Sequence, residues 1–229
     1  MLILAFETSA KAASVALMRD GVLLGESYQN TGLTHSQTLM VMAQDLMRQC
    51  GVSIQDLTHV AVAEGPGSFT GVRIGVAAAK GLSWGGELPC CGVSTLEAMA
   101  LSLGAWQGYV CPVMDARRSQ VYNALFYADN GHLERVKEDR AISLEELGKE
   151  LEALDGPVFL VGDGSYVAHK ALPYTVLPPE HRLHQRAVGV ALAAEEKIRR
   201  GESCDGAALT PNYLRLSQAE RERLERQQK

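Results

Sequence analysis

Three short segments combine acidic, hydroxyl and glycine residues at spacings that could hold a phosphate or a phosphate-bound metal. Glu7-Thr8-Ser9 closes one apolar run, and Asp115-Ala116-Arg117-Arg118 closes another. Gly65-Pro66-Gly67-Ser68-Phe69-Thr70-Gly71 stands between an apolar run and a helical pattern. A carboxylate at a strand end can hold a metal against a phosphate, and neighbouring glycines let backbone N–H groups approach the anion. No glycine lies between Glu7 and Ala13, and the Asp115 segment has none either, placing two guanidinium groups there instead. Two weakened clamps argue for structural turns and against an autonomous ATPase. They leave Glu7, Thr8, Ser9, Gly65, Gly67 and Ser68 as the candidate remnant of a nucleotide-phosphate site.

The glycine segment fits anion binding at a helix N-terminus in outline. A P-loop needs lysine after its last glycine, but Gly71 is followed by Val72-Arg73. A dinucleotide fold needs an acid at the end of the next strand, and that strand, near Pro89–Val93, runs into Ser94. A third reading is packing. Gly71, Gly75 and Ala79 recur at i, i+4 and i+8 and make one helix side nearly bare backbone. Interior helical glycines cost about 1 kcal/mol each against alanine, so a close contact is expected in return. Either the protein's own sheet or a partner's helix could supply it.

The histidines offer no metal constellation. His35 has Leu39 at i+4, His181 and His184 follow Pro178-Pro179 in a loop, and the others are isolated. No Gly-x-Ser-x-Gly surrounds Ser68 or Ser165. The five cysteines include no C-x-x-C pair and read as reduced thiols of a cytoplasmic protein. The N-terminus lacks a basic start, and no apolar run is long enough to span a membrane.

The elements that would position these residues form one pattern written twice. Strands are expected at Leu2–Phe6, Ala13–Met18 and Val22–Tyr28, with a hairpin at Asp20-Gly21. A helix follows over His35–Cys50, capped by Thr34 and stopped by Gly51, then a strand at His59–Ala63 and a helix over Phe69–Trp84. The second half repeats this with strands at Tyr109–Met114, Gln120–Tyr127 and His132–Lys137, turning at Asn130-Gly131. A helix capped by Ser143, a strand at Pro157–Val161 and a closing helix Arg186–Arg200 complete it. Glu7, Gly21 and Gly65 thus recur as Asp115, Gly131 and Gly164, about a hundred residues on. Duplicated βββαβα units imply an α/β protein of two lobes with the actin-like ATPase (ribonuclease H-like) architecture. The lobes are expected at 1–104 and 105–216, joined by a helical connection after Ser94 and followed by a charged tail at 217–229. The 229 residues are 46% hydrophobic and carry a net charge of −5, with a mean hydropathy of −0.05. Such a chain can build a full core, but it has no broad basic face for nucleic acid.

Several stretches resemble the TsaB (YeaZ) family, which takes part in making threonylcarbamoyladenosine on tRNA. They are LAFETSAKAASVAL, THSQTL, VAEGPGSFTGVRIGVAAAKGL, MDARRSQVY and PNYLR, spread over almost the whole chain. The resemblance implies an actin-like fold without catalysis by this chain alone. It implies pairing with a homologous TsaD-type catalytic subunit that holds the metal and ATP or ADP. With a TsaE-type ATPase, the pair moves threonylcarbamoyl from its adenylate to N6 of adenosine 37. tRNA would then be met through the complex. The family's partner surface uses the two helices flagged above, here through His35, Leu39, Met42, Ala43, Leu46, Phe69, Thr70, Gly71, Val72, Arg73, Gly75, Val76 and Ala79. Gly75→Leu or Ala79→Leu is expected to abolish pairing while the fold survives. The isolated chain would form a homodimer through the same surface. The competing readings are an autonomous ATPase or kinase using Glu7 and Asp115, and a glycoprotease-like metallopeptidase.

Overall fold

The structure, a computed structural model, describes residues 1–104, 107–117 and 120–215. Arg118 and the 217–229 tail therefore lie outside the described residues.

The first lobe is a five-stranded sheet. Its strands are β1 (Leu2–Glu7), β2 (Ala13–Arg19), β3 (Val22–Gln29), β4 (His59–Gly65) and β5 (Cys90–Ser94), in the order β3-β2-β1-β4-β5. β1 is antiparallel to β2, with Phe6 opposite Val15, and parallel to β4, with Phe6 opposite Val62. Between the strands lie α1 (His35–Gln49) and α2 (Phe69–Gly86), and α3 (Thr95–Leu103) follows β5. The second lobe repeats the order with β6 (Gly108–Asp115), β7 (Gln120–Asp129), β8 (His132–Ser143), α4 (Leu144–Glu152), β9 (Val158–Val161) and α5 (Ser165–Ala171), its sheet running β8-β7-β6-β9. This is the duplicated, two-lobed actin-like α/β fold. The second sheet even keeps a trace of the fifth strand: Val176 bridges Phe159 in parallel, and Pro178-Pro179 follow at once.

Local chemistry accounts for the main punctuation. Asp20-Gly21 and Asn130-Gly131 both take positive φ at their two residues, the geometry of the tight hairpin turn that matches strand twist. The Ser143 hydroxyl caps α4 and Glu146 reaches back, completing a capping box. Thr34 occupies the N-cap position of α1, but its side chain accepts no hydrogen bond there.

The core lies on both faces of each sheet. Phe6, Leu4, Val15 and Leu17 pack under α1 and α2, while Ile3, Ala5, Ala16 and Met18 face α6 (Ala187–Arg199). Full burial of such side chains contributes about 1.5–3 kcal/mol each. In the second lobe α4 and α5 cover one face, and the Leu96, Met99 and Leu103 side chains of α3 cover the other. α6, the closing helix, packs on the first sheet, and α3, which forms the expected helical connection between the lobes, covers the second. The glycine turn Gly162–Ser165 opens the short helix α5, which the apolar spacing had not revealed. β8 also runs to Ser143 rather than Lys137, because a solvated edge strand carries charges without breaking. α3 and α6 cross where Gly189 meets Ala98, so close that a Cβ on Gly189 would strike the Ala98 carbonyl. No helix among the described residues is long and apolar enough to cross a membrane.

Candidate functional site

Glu7-Thr8-Ser9 leaves β1 and folds directly over the N-terminus of α2. The Ser68 N–H donates to the Ser9 carbonyl at 2.6 Å, and the Thr8 hydroxyl donates to the Gly71 carbonyl at 2.8 Å. The Ser68 hydroxyl caps the same helix by accepting from the Gly71 N–H. The glycines make this contact fit. A Cβ on Gly67 would lie 2.6 Å from the Ser9 carbonyl, one on Gly71 would run into the Thr8 carbonyl, and one on Gly75 into the Thr8 hydroxyl. Gly65, with φ of +125°, faces the Asn212 carbonyl instead. Of the two origins considered for the close contact, the chain's own turn and sheet supply it.

Beneath this turn Glu7 is 1% exposed. Its Oε1 accepts from the Ser9 N–H at 2.6 Å, while Oε2 and the Ser9 hydroxyl have no partner among the described residues. Burial pushes the Glu7 carboxyl up from 4.5 to about 7. Above it the lobes enclose a cleft of about 620 Å³, lined by Ser9, Lys11, Ser68, Asp115, Arg117, Asp163 and Arg215 among others. Asp115 accepts from the Arg117 N–H at 2.7 Å, closing a tight turn that holds Arg117 at φ of +63°. Asp163 accepts from the Gln185 amide at 3.0 Å, and burial raises its pKa, with the Asp115 charge adding to this. The structure thus brings Asp115 and Asp163 to the wall of one cleft, with Glu7 buried beneath the Ser9 turn and close enough to feel the Asp163 charge. The sequence signal for Asp163 is its place between Gly162 and Gly164, directly after the strand β9.

The two helices beside the cleft sort the proposed partner residues. Leu39, Met42, Ala43 and Leu46 are buried in the first-lobe core, as are Val72, Val76 and Ala79. Gly71 and Gly75 are enclosed by the Thr8 turn. These seven side chains and two glycines thus pack within the first lobe, and the surface that the two helices offer outward is made by other residues. Their i, i+3, i+4 and i+7 spacing is the stripe that holds each helix on its own sheet. Thr70 and Arg73 are exposed, and His35 and Phe69 half-buried. The outward face of α1 carries Gln37, Met40 and Val41, the last 56% exposed, and that of α2 carries Ala77, Gly81 and Trp84. His35 Nε2 lies 2.8 Å from the Ala10 carbonyl and so bears the proton, tying the start of α1 to the cleft turn.

The C-terminal arm completes the site, and sequence reasoning did not place it there. The Asn212 N–H donates to the Glu64 carbonyl at 2.6 Å, and Arg215 donates to the Ala116 carbonyl at 3.0 Å across the cleft. Tyr213 stacks on Phe69 at 4.8 Å and accepts from Arg73 at 2.8 Å, while the Arg73 guanidinium lies 3.8 Å over the Phe69 ring. The apolar cluster of the first core also takes in Leu209 of this arm. Among the described residues no group of three or more His, Cys, Asp or Glu side chains is disposed to hold a metal ion.

Comparison with known proteins places this arrangement. A sequence profile described as "TsaD: tRNA N6-adenosine threonylcarbamoyltransferase" matches residues 29–223. The "tRNA threonylcarbamoyladenosine biosynthesis protein TsaB" of Bacillus subtilis (strain 168) is 36% identical over 233 residues, covering 99% of this chain and 100% of that protein. The Escherichia coli (strain K12) protein of the same description is 39% identical over 169 residues, covering 72% of each. A crystal structure from Pseudomonas aeruginosa, described as similar to peptidase YeaZ, superposes with a TM-score of 0.82 at 27% identity, over 93% of this chain and 99% of that one. The chain belongs to the TsaB (YeaZ) family, within the wider group that the threonylcarbamoyltransferase profile describes.

Proposed function

We propose that this chain acts in threonylcarbamoyladenosine biosynthesis as a non-catalytic scaffolding and activating subunit. It pairs with a TsaD-type catalytic subunit and works with a TsaE-type ATPase, in the cytoplasm, on position 37 of tRNA. The observation that carries this reading is the closure of the α2 N-terminus. In a nucleotide-binding lobe that helix end and its glycines would face phosphate. Here the Ser9 carbonyl takes the Ser68 N–H, and the Thr8 and Ser9 backbone fills the space beside Gly67 and Gly71. ATP or ADP and any metal then belong to the partner subunits.

The charge supports the same division of labour. A chain of net charge −5 gains little from phosphate contacts, so the tRNA is held mainly by the partner. A stable pairing needs about 800 Å² on each side. The outward faces of α1 and α2, with Met40, Val41 and Ala77, offer a partly apolar surface beside the Phe69–Arg73–Tyr213 cluster. Without its partner the chain uses this surface to form a homodimer. The test is co-purification with a TsaD-type protein, followed by threonylcarbamoyl transfer with and without this chain. Stoichiometric pairing and transfer dependent on both are expected; transfer undiminished without this chain would remove the proposal.

One observation favours the second reading, an autonomous ATPase: Asp115 and Asp163 line the cleft, and Glu7 lies buried beneath it, close enough to feel the Asp163 charge. Calorimetry of the purified chain with ATP and Mg²⁺ separates the two. Micromolar binding lost in Glu7→Ala would favour the ATPase.

A further inference from the structure

After α6 the chain turns back along the open edge of the first sheet. There Cys204 faces Cys90 of β5 in an antiparallel bridge, each N–H donating to the other's carbonyl, at 2.7 and 2.8 Å. Residues that exchange both hydrogen bonds have Cα atoms about 5.5 Å apart. A disulfide needs about 4.4–6.8 Å. Directly opposed residues project their side chains to the same face, and both thiols pack into the same apolar cluster, with Leu209 of the arm. All five cysteines are free.

The other thiols are excluded by place. Cys91 is the strand neighbour of Cys90 and points to the opposite face, toward α6. Cys111 is buried in the second lobe. Cys50 ends α1 beside Leu24 of β3, at the far edge of the same sheet.

Cys204 can also be reached. It lines a cavity of about 730 Å³ with Lys80, Trp84, Leu88 and Ala207. The Lys80 ammonium, held by the Ala207 and Leu209 carbonyls at 3.3 and 3.0 Å, places a positive charge on that wall. Burial nevertheless pushes the Cys204 thiol up, the Glu64 charge adding to it, and the Lys197 and Lys80 ammoniums offset only part of this. Cys90 is fully buried behind it.

We infer that Cys90 and Cys204 form a reversible disulfide, made by exchange with a small-molecule disulfide such as oxidised glutathione. Cys204 loses its proton, attacks one glutathione sulfur and releases one glutathione thiol. Cys90 then loses its proton, attacks Cys204 Sγ and expels the second. The two protein thiols are oxidised by two electrons, and glutathione disulfide is reduced to two thiols. In the reduced chain the arm is held by hydrogen bonds and the Phe69–Tyr213 stack. In the oxidised chain it is clamped covalently at the root, which fixes Asn212 and Tyr213 against β4 and α2.

The test uses the full chain, equilibrated in mixtures of reduced and oxidised glutathione, then digested without reductant and read by mass spectrometry. The expected product is a Cys90–Cys204 peptide pair, two hydrogens lighter, cleaved again by dithiothreitol. Cys91→Ala should leave that pair intact, and Cys204→Ser should leave Cys90 unmodified. Hydrogen exchange at the 205–215 amides should slow in the oxidised form. A Cys204–glutathione adduct that never resolves, or a link to any other cysteine, would overturn the pairing. Unchanged exchange in the linked protein would overturn the clamp.

Discussion

The Ser68 N–H donates to the Ser9 carbonyl at 2.6 Å, so the turn after the first strand caps the helix that follows the fourth. One contact thereby joins the floor of the cleft to the helix beside it. It also sets a tolerance of less than one methyl group at Gly67 and at Gly71.

Gly71→Ala puts its methyl into the Thr8 backbone carbonyl, which cannot swing aside as a side-chain end could. Overpacking of this kind costs about 2 kcal/mol. The melting temperature should fall by about 4–8 °C for a chain of this size, measured by calorimetry. Gly81→Ala is the control: in open space in the middle of the same helix, it should stabilise the chain by up to about 1 kcal/mol.

Gly75→Leu no longer tests the partner surface. Its side chain would collide with Thr8 and Val62 in the core, so the expected result is an unstable fold rather than a folded monomer. Val41→Arg and Ala77→Arg probe the outward faces instead. Each should leave stability within about 0.5 kcal/mol of the parent, as exposed substitutions generally do. Pull-down of a TsaD-type subunit should weaken at least about tenfold, the effect of about 1.4 kcal/mol at an interface core. Undiminished capture by both variants would mean that pairing uses another face.

Glu7 makes stability depend on pH in the sense opposite to an ion-paired acid. Its carboxyl titrates near 4.5 when unfolded and about 7 when folded, because burial disfavours the charge. Between these values the native state holds a proton that the unfolded chain has released. Stability is therefore full below about pH 4.5 and is lost as pH rises through about 7. The difference amounts to about 3 kcal/mol. Asp163, raised in the same direction, adds to the slope. Urea unfolding at pH 5, 6, 7 and 8 should show the decline, and Glu7→Gln should flatten it. A profile of Glu7→Gln parallel to the parent's would show that the slope arises elsewhere.

Glu26 of β3 is held from three sides, by Arg186 at the start of α6, by the Ser14 hydroxyl at 3.0 Å and by the Val188 N–H at 3.2 Å. Its side chain is 5% exposed. Arg186→Ala removes the ion-pair partner of a nearly buried carboxylate, a loss of about 3 kcal/mol. Arg186→Lys should recover only part of this, since the planar fork that meets Glu26 is gone. Chemical denaturation of the three proteins checks the ranking.

Much of the fold was legible because its signals are local. The two hairpins are written in Asp20-Gly21 and Asn130-Gly131, and the α4 cap in Ser143 and Glu146. Both act through backbone geometry that neighbours cannot easily override. What stayed hidden was long-range. The periodicity of Ala187–Arg199 says that one side is apolar, but not which sheet it will cover. The same limit explains the partner residues. Leu39, Met42, Ala43 and Leu46 form a regular stripe, and a stripe fits a sheet or a partner equally well until the sheet is in place. Tyr213, Asn212 and Arg215 sit in a short segment without periodicity, so only the fold brings them to Phe69, Glu64 and Ala116.

The exchange of α3 and α6 between the lobes has a last consequence. A chain cut near residue 105 would not yield two independent halves, because the N-terminal fragment would carry α3 without its sheet and a sheet without α6. The C-terminal fragment would have the reverse defect. Expressed separately, each should expose the face that the other's helix covers; expressed together, they should assemble by mutual completion, so the ancestral repeat survives in this molecule only as a matched pair.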